Sequence, residues 1–69
     1  MTKGQKIAEF VKEAHAKGMT VYFQTYLRTT RLAPKHAALA RINAKGQFQI
    51  LHGKQGWLIM DCCSRISAH

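Results

Sequence analysis

Acidic residues are scarce in this chain. Only Glu9, Glu13 and Asp61 carry a carboxylate side chain, against eleven Lys and Arg, and the formal net charge is +8. Between Ala14 and Met60 there is no acid, yet Lys17, Arg28, Arg31, Lys35, Arg41, Lys45 and Lys54 all fall there. Uncompensated positive charge points to a partner that is itself negative. Long apolar runs are also missing. None is longer than Trp57 to Met60, far below the roughly 20 residues that cross a bilayer. The first residues have neither the apolar stretch nor the cleavage site of a secretory signal, so the expectation is a cytoplasmic protein with no membrane partner. Cysteine occurs twice, at the adjacent positions Cys62 and Cys63. A bond between neighbours would strain the peptide joining them, and no further Cys offers an alternative. Free thiols in a reducing compartment are expected.

These absences bear on chemistry. Glu9 and Glu13 are neighbours on one predicted helix and Asp61 stands alone, so no pair of carboxylates suggests general acid–base catalysis. Two adjacent Cys and four scattered His lack the paired spacing of a zinc site. The glycines occur singly, not in a phosphate-cradling loop. The expectation is a binding protein with no catalytic residue, metal, cofactor or small-molecule substrate.

What is present is the composition of one small globular domain, residues 1–69, with 46% hydrophobic residues. A chain this short has a thin core. Thr2 followed by Gln5 has the spacing of a capping box. Ile7, Phe10, Val11 and Ala14 then recur at helical spacing, and Gly18 follows Lys17 where the helix should stop. Thr20 to Thr30 has strand composition. Alternation there places Val21, Phe23, Thr25 and Leu27 on one face, and Tyr22, Gln24, Tyr26 and Arg28 on the other.

Pro34 interrupts this pattern, and residues 34–45 can be read as helix or strand. Strand is preferred, because Asn43-Ala44-Lys45-Gly46 suits a type I turn closed by a left-handed glycine. That turn pairs Ile42 with Phe48, Arg41 with Gln49, Ala40 with Ile50, Leu39 with Leu51 and Ala38 with His52. A second turn around Gly53-Lys54-Gln55-Gly56, with a two-residue loop, pairs His52 with Trp57, Leu51 with Leu58 and Ile50 with Ile59. The last strand runs from Trp57 to Cys62, and Ser64 to His69 reads as a polar tail. The predicted fold class is α+β: one N-terminal helix packed on an antiparallel sheet of about four short strands. The helix covers Ile42, Phe48, Ile50 and Ile59.

The candidate partner-binding residues are Arg28, Arg31, Lys35, Arg41, Lys45 and Lys54, with Tyr22 and Tyr26 as a stacking row. Leu39, Leu51, Leu58 and Met60 are expected on the face away from the helix, as a possible homodimer face. The run from Thr20 through Val21, Tyr22, Phe23, Arg28 and Arg31 to Pro34-Lys35-His36, followed by two short hairpins, resembles small phage- and prophage-encoded proteins. Some of those inhibit host defence, the anti-CRISPR proteins among them. The resemblance spans Thr20 to Asp61 and brings over no site residues. It implies a non-enzymatic inhibitor that occupies an acidic protein surface or a nucleoprotein complex of the host. Many such proteins are acidic DNA mimics, a mechanism that the basic charge here excludes. The alternative is a nucleic-acid-binding regulator, with Arg and Lys on phosphates and tyrosines on bases. A continuous basic surface around the tyrosines would favour nucleic acid, and an exposed leucine patch would favour protein.

Overall fold

Thr2 sits in extended backbone and its hydroxyl accepts the Gln5 N–H, while the Gln5 side chain accepts the Thr2 N–H. This reciprocal pair satisfies donors that a helix start leaves open. Helix α1 follows, Lys3–Ala16, in the computed structural model, which describes residues 1–69. Ile7, Val11 and Ala14 are buried along its inner stripe, whereas Phe10 lies at the rim and is 41% exposed. Gly18, at φ 75°, turns the chain out of the helix, and its N–H reaches His15 O. Gly4 is buried, because α1 rests directly on the backbone of Gly46 and Phe48.

Six short strands follow: β1 Val21–Gln24, β2 Thr29–Leu32, β3 Ala40–Ile42, β4 Phe48–His52, β5 Gly56–Ile59 and β6 Arg65–Ala68. They form two antiparallel three-stranded sheets. Sheet A has the order β2-β1-β6 and sheet B the order β3-β4-β5. Helix α1 packs against β3, β4 and β1. The core gathers Ile7, Val11 and Ala14 from the helix, Val21, Phe23 and Leu32 from sheet A, and Phe48, Ile50 and Met60 from the sheet B side. Phe23 and Phe48 stack with ring centroids 5.6 Å apart, joining the two sheets. Val21, Phe23 and Leu32 are at most 1% exposed. Each such side chain contributes about 1.5–3 kcal/mol relative to exposure.

The α+β class and the N-terminal helix agree with the sequence reading; the single sheet of about four strands does not. Sequence alternation carries the first strand to Thr30, but β1 ends at Gln24 and a four-residue turn, Thr25–Arg28, leads into β2. Leu27, expected to face inward, is 85% exposed. Residues 34–39 form a 3-10 helix that Pro34 opens, and strand begins only at Ala40. The pairs Ala38–His52 and Leu39–Leu51 are therefore not made. The three pairs nearer the Asn43–Gly46 turn are made as predicted, and Gly46 takes φ 79°.

The second hairpin is displaced by one residue. Its loop is the three-residue 3-10 turn Gly53–Gln55, and Gly56, at φ 71°, pairs with His52. Leu51 then pairs with Trp57, Ile50 with Leu58 and Gln49 with Ile59. A one-residue slip exchanges the faces of a strand. Leu58 thus packs on the core and Met60 is 4% exposed, while Ile59 is 43% exposed. The supposed tail contains β6, which closes sheet A on the far side of β1.

Candidate nucleic-acid interface

Alternation along β1 sends Val21 and Phe23 into the core and turns Tyr22 and Gln24 outward. Tyr22 is the centre of a cross-strand row, with Arg31 of β2 on one side and Ser67 of β6 on the other. The next row places Gln24 between Thr29 and Arg65. Directly opposed residues on one sheet face are neighbours. Arg31, Arg65, Gln24 and Thr29 are all exposed. The His69 ring meets Tyr22 edge-on, with centroids 5.5 Å apart. Beyond Arg31, the chain turns at Pro34 so that Tyr22, Arg31, Lys35 and His36 line one polar hollow.

No strand of sheet A contains a carboxylate side chain. Glu9 and Glu13 lie on α1, and Asp61 is occupied elsewhere, its Oδ1 accepting the Phe48 N–H at 2.8 Å. The outward face of sheet A is therefore a tyrosine platform ringed by cations and hydrogen-bond donors.

The other basic residues from the sequence are dispersed. Arg28 ends the β1–β2 turn, and its Nη2 donates to Gln55 Oε1 at 2.8 Å, next to Lys54 in the β4–β5 turn. Tyr26 projects from that same turn, 97% exposed, instead of extending the Tyr22 row. Lys45 lies in the β3–β4 turn beside the start of α1. Arg41 belongs to sheet B. Its guanidinium carbon sits 3.9 Å from the Trp57 ring centroid, and its Nε donates to Gln49 Oε1 at 3.0 Å.

The four residues expected as a homodimer face do not share one. Met60 is core and Leu58 packs on it, leaving Leu39 and Leu51 each 37% exposed. Gln24 joins the Tyr22 face as alternation predicted, and Arg65, His36 and His69 join it without having been expected there. For Arg65 a signal existed: Arg65-Ile66-Ser67-Ala68 alternates polar and apolar with period two.

His15 and Cys63 make structural contacts. His15 Nε2 lies 2.9 Å from Leu32 O, tying α1 to β2. The Cys63 thiol contacts Met60 Sδ at 3.7 Å, and burial, followed by the neighbouring Cys62, pushes its pKa up. No group of three or more His, Cys, Asp or Glu side chains converges as metal ligands would. No helix is long and apolar enough to cross a membrane. Comparison with protein-family models, with curated proteins and with solved structures finds no match.

Proposed function

We propose that this chain is a non-enzymatic nucleic-acid-binding protein that lays a single strand across the outward face of sheet A. The observation carrying this reading is Tyr22 at the centre of a face with Arg31, Lys35 and Arg65 around it and no carboxylate side chain. Tyr22 stacks on a base, a contact that tolerates any sequence because every base has a π-face. Arg31, Lys35 and Arg65 meet phosphates, and Gln24, Ser67 and His36 supply hydrogen bonds to sugars and base edges. A flat sheet face suits unpaired bases, which can be splayed and stacked, better than the closed grooves of a duplex.

The test is a fluorescence-anisotropy titration with a fluorescein-labelled single-stranded oligonucleotide. Affinity should fall with salt by a log–log slope of roughly 0.7 per phosphate contacted. Tyr22→Ala should weaken binding about tenfold, in line with the roughly 1–3 kcal/mol of a stacked base. Equal affinity of wild type and Tyr22→Ala would refute the reading.

A second reading has its own observation. Trp57 under the Arg41 guanidinium, with Leu51 and Ile59 exposed on the same sheet, has the residue types that dominate protein–protein contacts. This surface suits an inhibitor of the phage type that docks on a host protein or nucleoprotein complex. Capture of such a complex by the wild type, lost in Trp57→Ala while oligonucleotide affinity stays unchanged, would select it.

A further inference from the structure

Thr25-Tyr26-Leu27-Arg28 breaks the usual chemistry of a tight turn. Gly, Pro, Asn, Asp and Ser dominate turns, yet here the two tip positions are a tyrosine and a leucine, 97% and 85% exposed. Tyr26 stands clear of the rest of the chain and Leu27 only borders a hollow beside Leu58 and Met60, so neither side chain is packed into the core. Departures from local rules without a structural return concentrate at functional sites.

The tip is also held in place. Thr25 N donates to Arg28 O at 2.8 Å, Thr25 Oγ1 donates to the same oxygen at 2.9 Å, and Arg28 N donates back to Thr25 Oγ1 at 3.2 Å. The Arg28–Gln55 bond then ties the tip to the β4–β5 turn, which carries Lys54. The result is a braced apolar point with two cations beside it and no acid. It follows the Tyr22 platform along the chain: three residues lie between Tyr22 and Tyr26, so four steps, at most about 14 Å of chain, separate them.

We propose that Tyr26 and Leu27 form a wedge that enters a base stack where a nucleic-acid duplex gives way to the single strand on sheet A. The inference rests on the nucleic-acid reading above and names its preferred substrate, a duplex–single-strand junction. Apolar side chains inserted between base steps unstack them, provided nearby contacts to the backbone offset the cost. Arg28 and Lys54 flank the point to make those contacts, and Tyr22 receives the strand that leaves the duplex.

The experiment compares three fluorescein-labelled DNA probes: a single strand, a blunt duplex, and a duplex with a single-stranded overhang carrying 2-aminopurine at its terminal pair. Wild type should bind the overhang probe about tenfold more tightly than the single strand and raise the 2-aminopurine fluorescence by unstacking that base. The double variant Tyr26→Ser, Leu27→Ser should keep its single-strand affinity and lose both effects. Since neither residue is packed against the core, this variant folds, and circular dichroism checks that it does. Single-strand binding without a junction preference in wild type would overturn the wedge and leave the Tyr22 reading standing. Binding to no probe would overturn both. Equal loss on all three probes in the variant would also overturn the wedge, making the tip a general contact. Binding to anionic vesicles that the variant loses, without junction preference, would assign the tip to a lipid surface instead.

Discussion

Thr2 and Gly46, forty-four residues apart, are joined by a hydrogen bond of 2.6 Å from the threonine hydroxyl to the glycine carbonyl. The same hydroxyl accepts the Gln5 N–H, so the helix cap and the β3–β4 turn share one oxygen. A side chain on Gly46, already at φ 79°, would meet the Thr2 side chain. Gly46→Val should therefore lose more than the roughly 1–2 kcal/mol of left-handed strain alone. Urea denaturation checks this; stability equal to wild type would mean that the turn can rearrange freely.

Gly4 tests the same junction with an opposite expectation from helix propensity. In an isolated helix Gly→Ala gains about 1 kcal/mol. Here the new Cβ would collide with backbone atoms of Gly46 and Phe48, which cannot swing aside. Gly4→Ala should lower the urea midpoint, and a raised midpoint would show that α1 can lift from the turn.

Asp61 acts as a substitute strand partner. Removing its carboxylate in Asp61→Ala leaves the part-buried Phe48 N–H unmet, at a cost of about 1–3 kcal/mol. Asp61→Asn keeps an acceptor oxygen and should recover most of that loss. If alanine and asparagine are equally stable, the contact carries no energy.

Cys63 predicts an alkaline limit. Desolvation, Cys62 and Asp61 raise its thiol above the ordinary 9.0, while Lys3 opposes them. The unfolded chain therefore releases this proton at lower pH than the folded one, so the contribution to stability is present below about pH 9 and fades as pH climbs through the raised value. Iodoacetamide should modify the exposed Cys62 before Cys63. Cys63→Ser should flatten the alkaline decline, and an unchanged decline would place its origin elsewhere.

Charge placement separates the two sheets. Arg31→Ala with Arg65→Ala should reduce the salt slope of single-strand binding by about 1.4, two contacts at roughly 0.7 each. Arg41→Ala should leave the slope alone, since that guanidinium is engaged with Trp57 and Gln49. Equal effects of both changes would point to diffuse charge instead of a face.

Features set by neighbours in the chain were legible. The Thr2–Gln5 capping box, the Gly18 stop and the Asn43–Gly46 turn rest on a few adjacent residues, and alternation around Tyr22 aimed that ring outward. The β4–β5 register was not legible, because glycines at both 53 and 56 fit loops of two or three residues, and one residue decides which face is buried. Alternation ran too far past Gln24 because Thr25-Tyr26-Leu27-Arg28 holds no residue that announces a turn. Arg65–Ala68 alternates over only four residues and finds its partner strand far back in the chain, so one of the three strands of the Tyr22 face was hidden in an apparent tail. Gly4 gave no warning, since its constraint comes from a turn far along the chain.

The central place of β1 in sheet A has a consequence in time. Sheet B can be assembled from one contiguous stretch, but sheet A waits for β6, which reaches β1 only after the whole meander has been traversed. Closing such a long loop is entropically costly and slows the step that needs it. Until then β1 and β2 form a lone ribbon, marginal in water, with one side of β1 open and Arg65 absent from beside Gln24. The Tyr22 face, with β2 on one side of β1 and β6 on the other, is thus complete only once the last strand of the chain has docked.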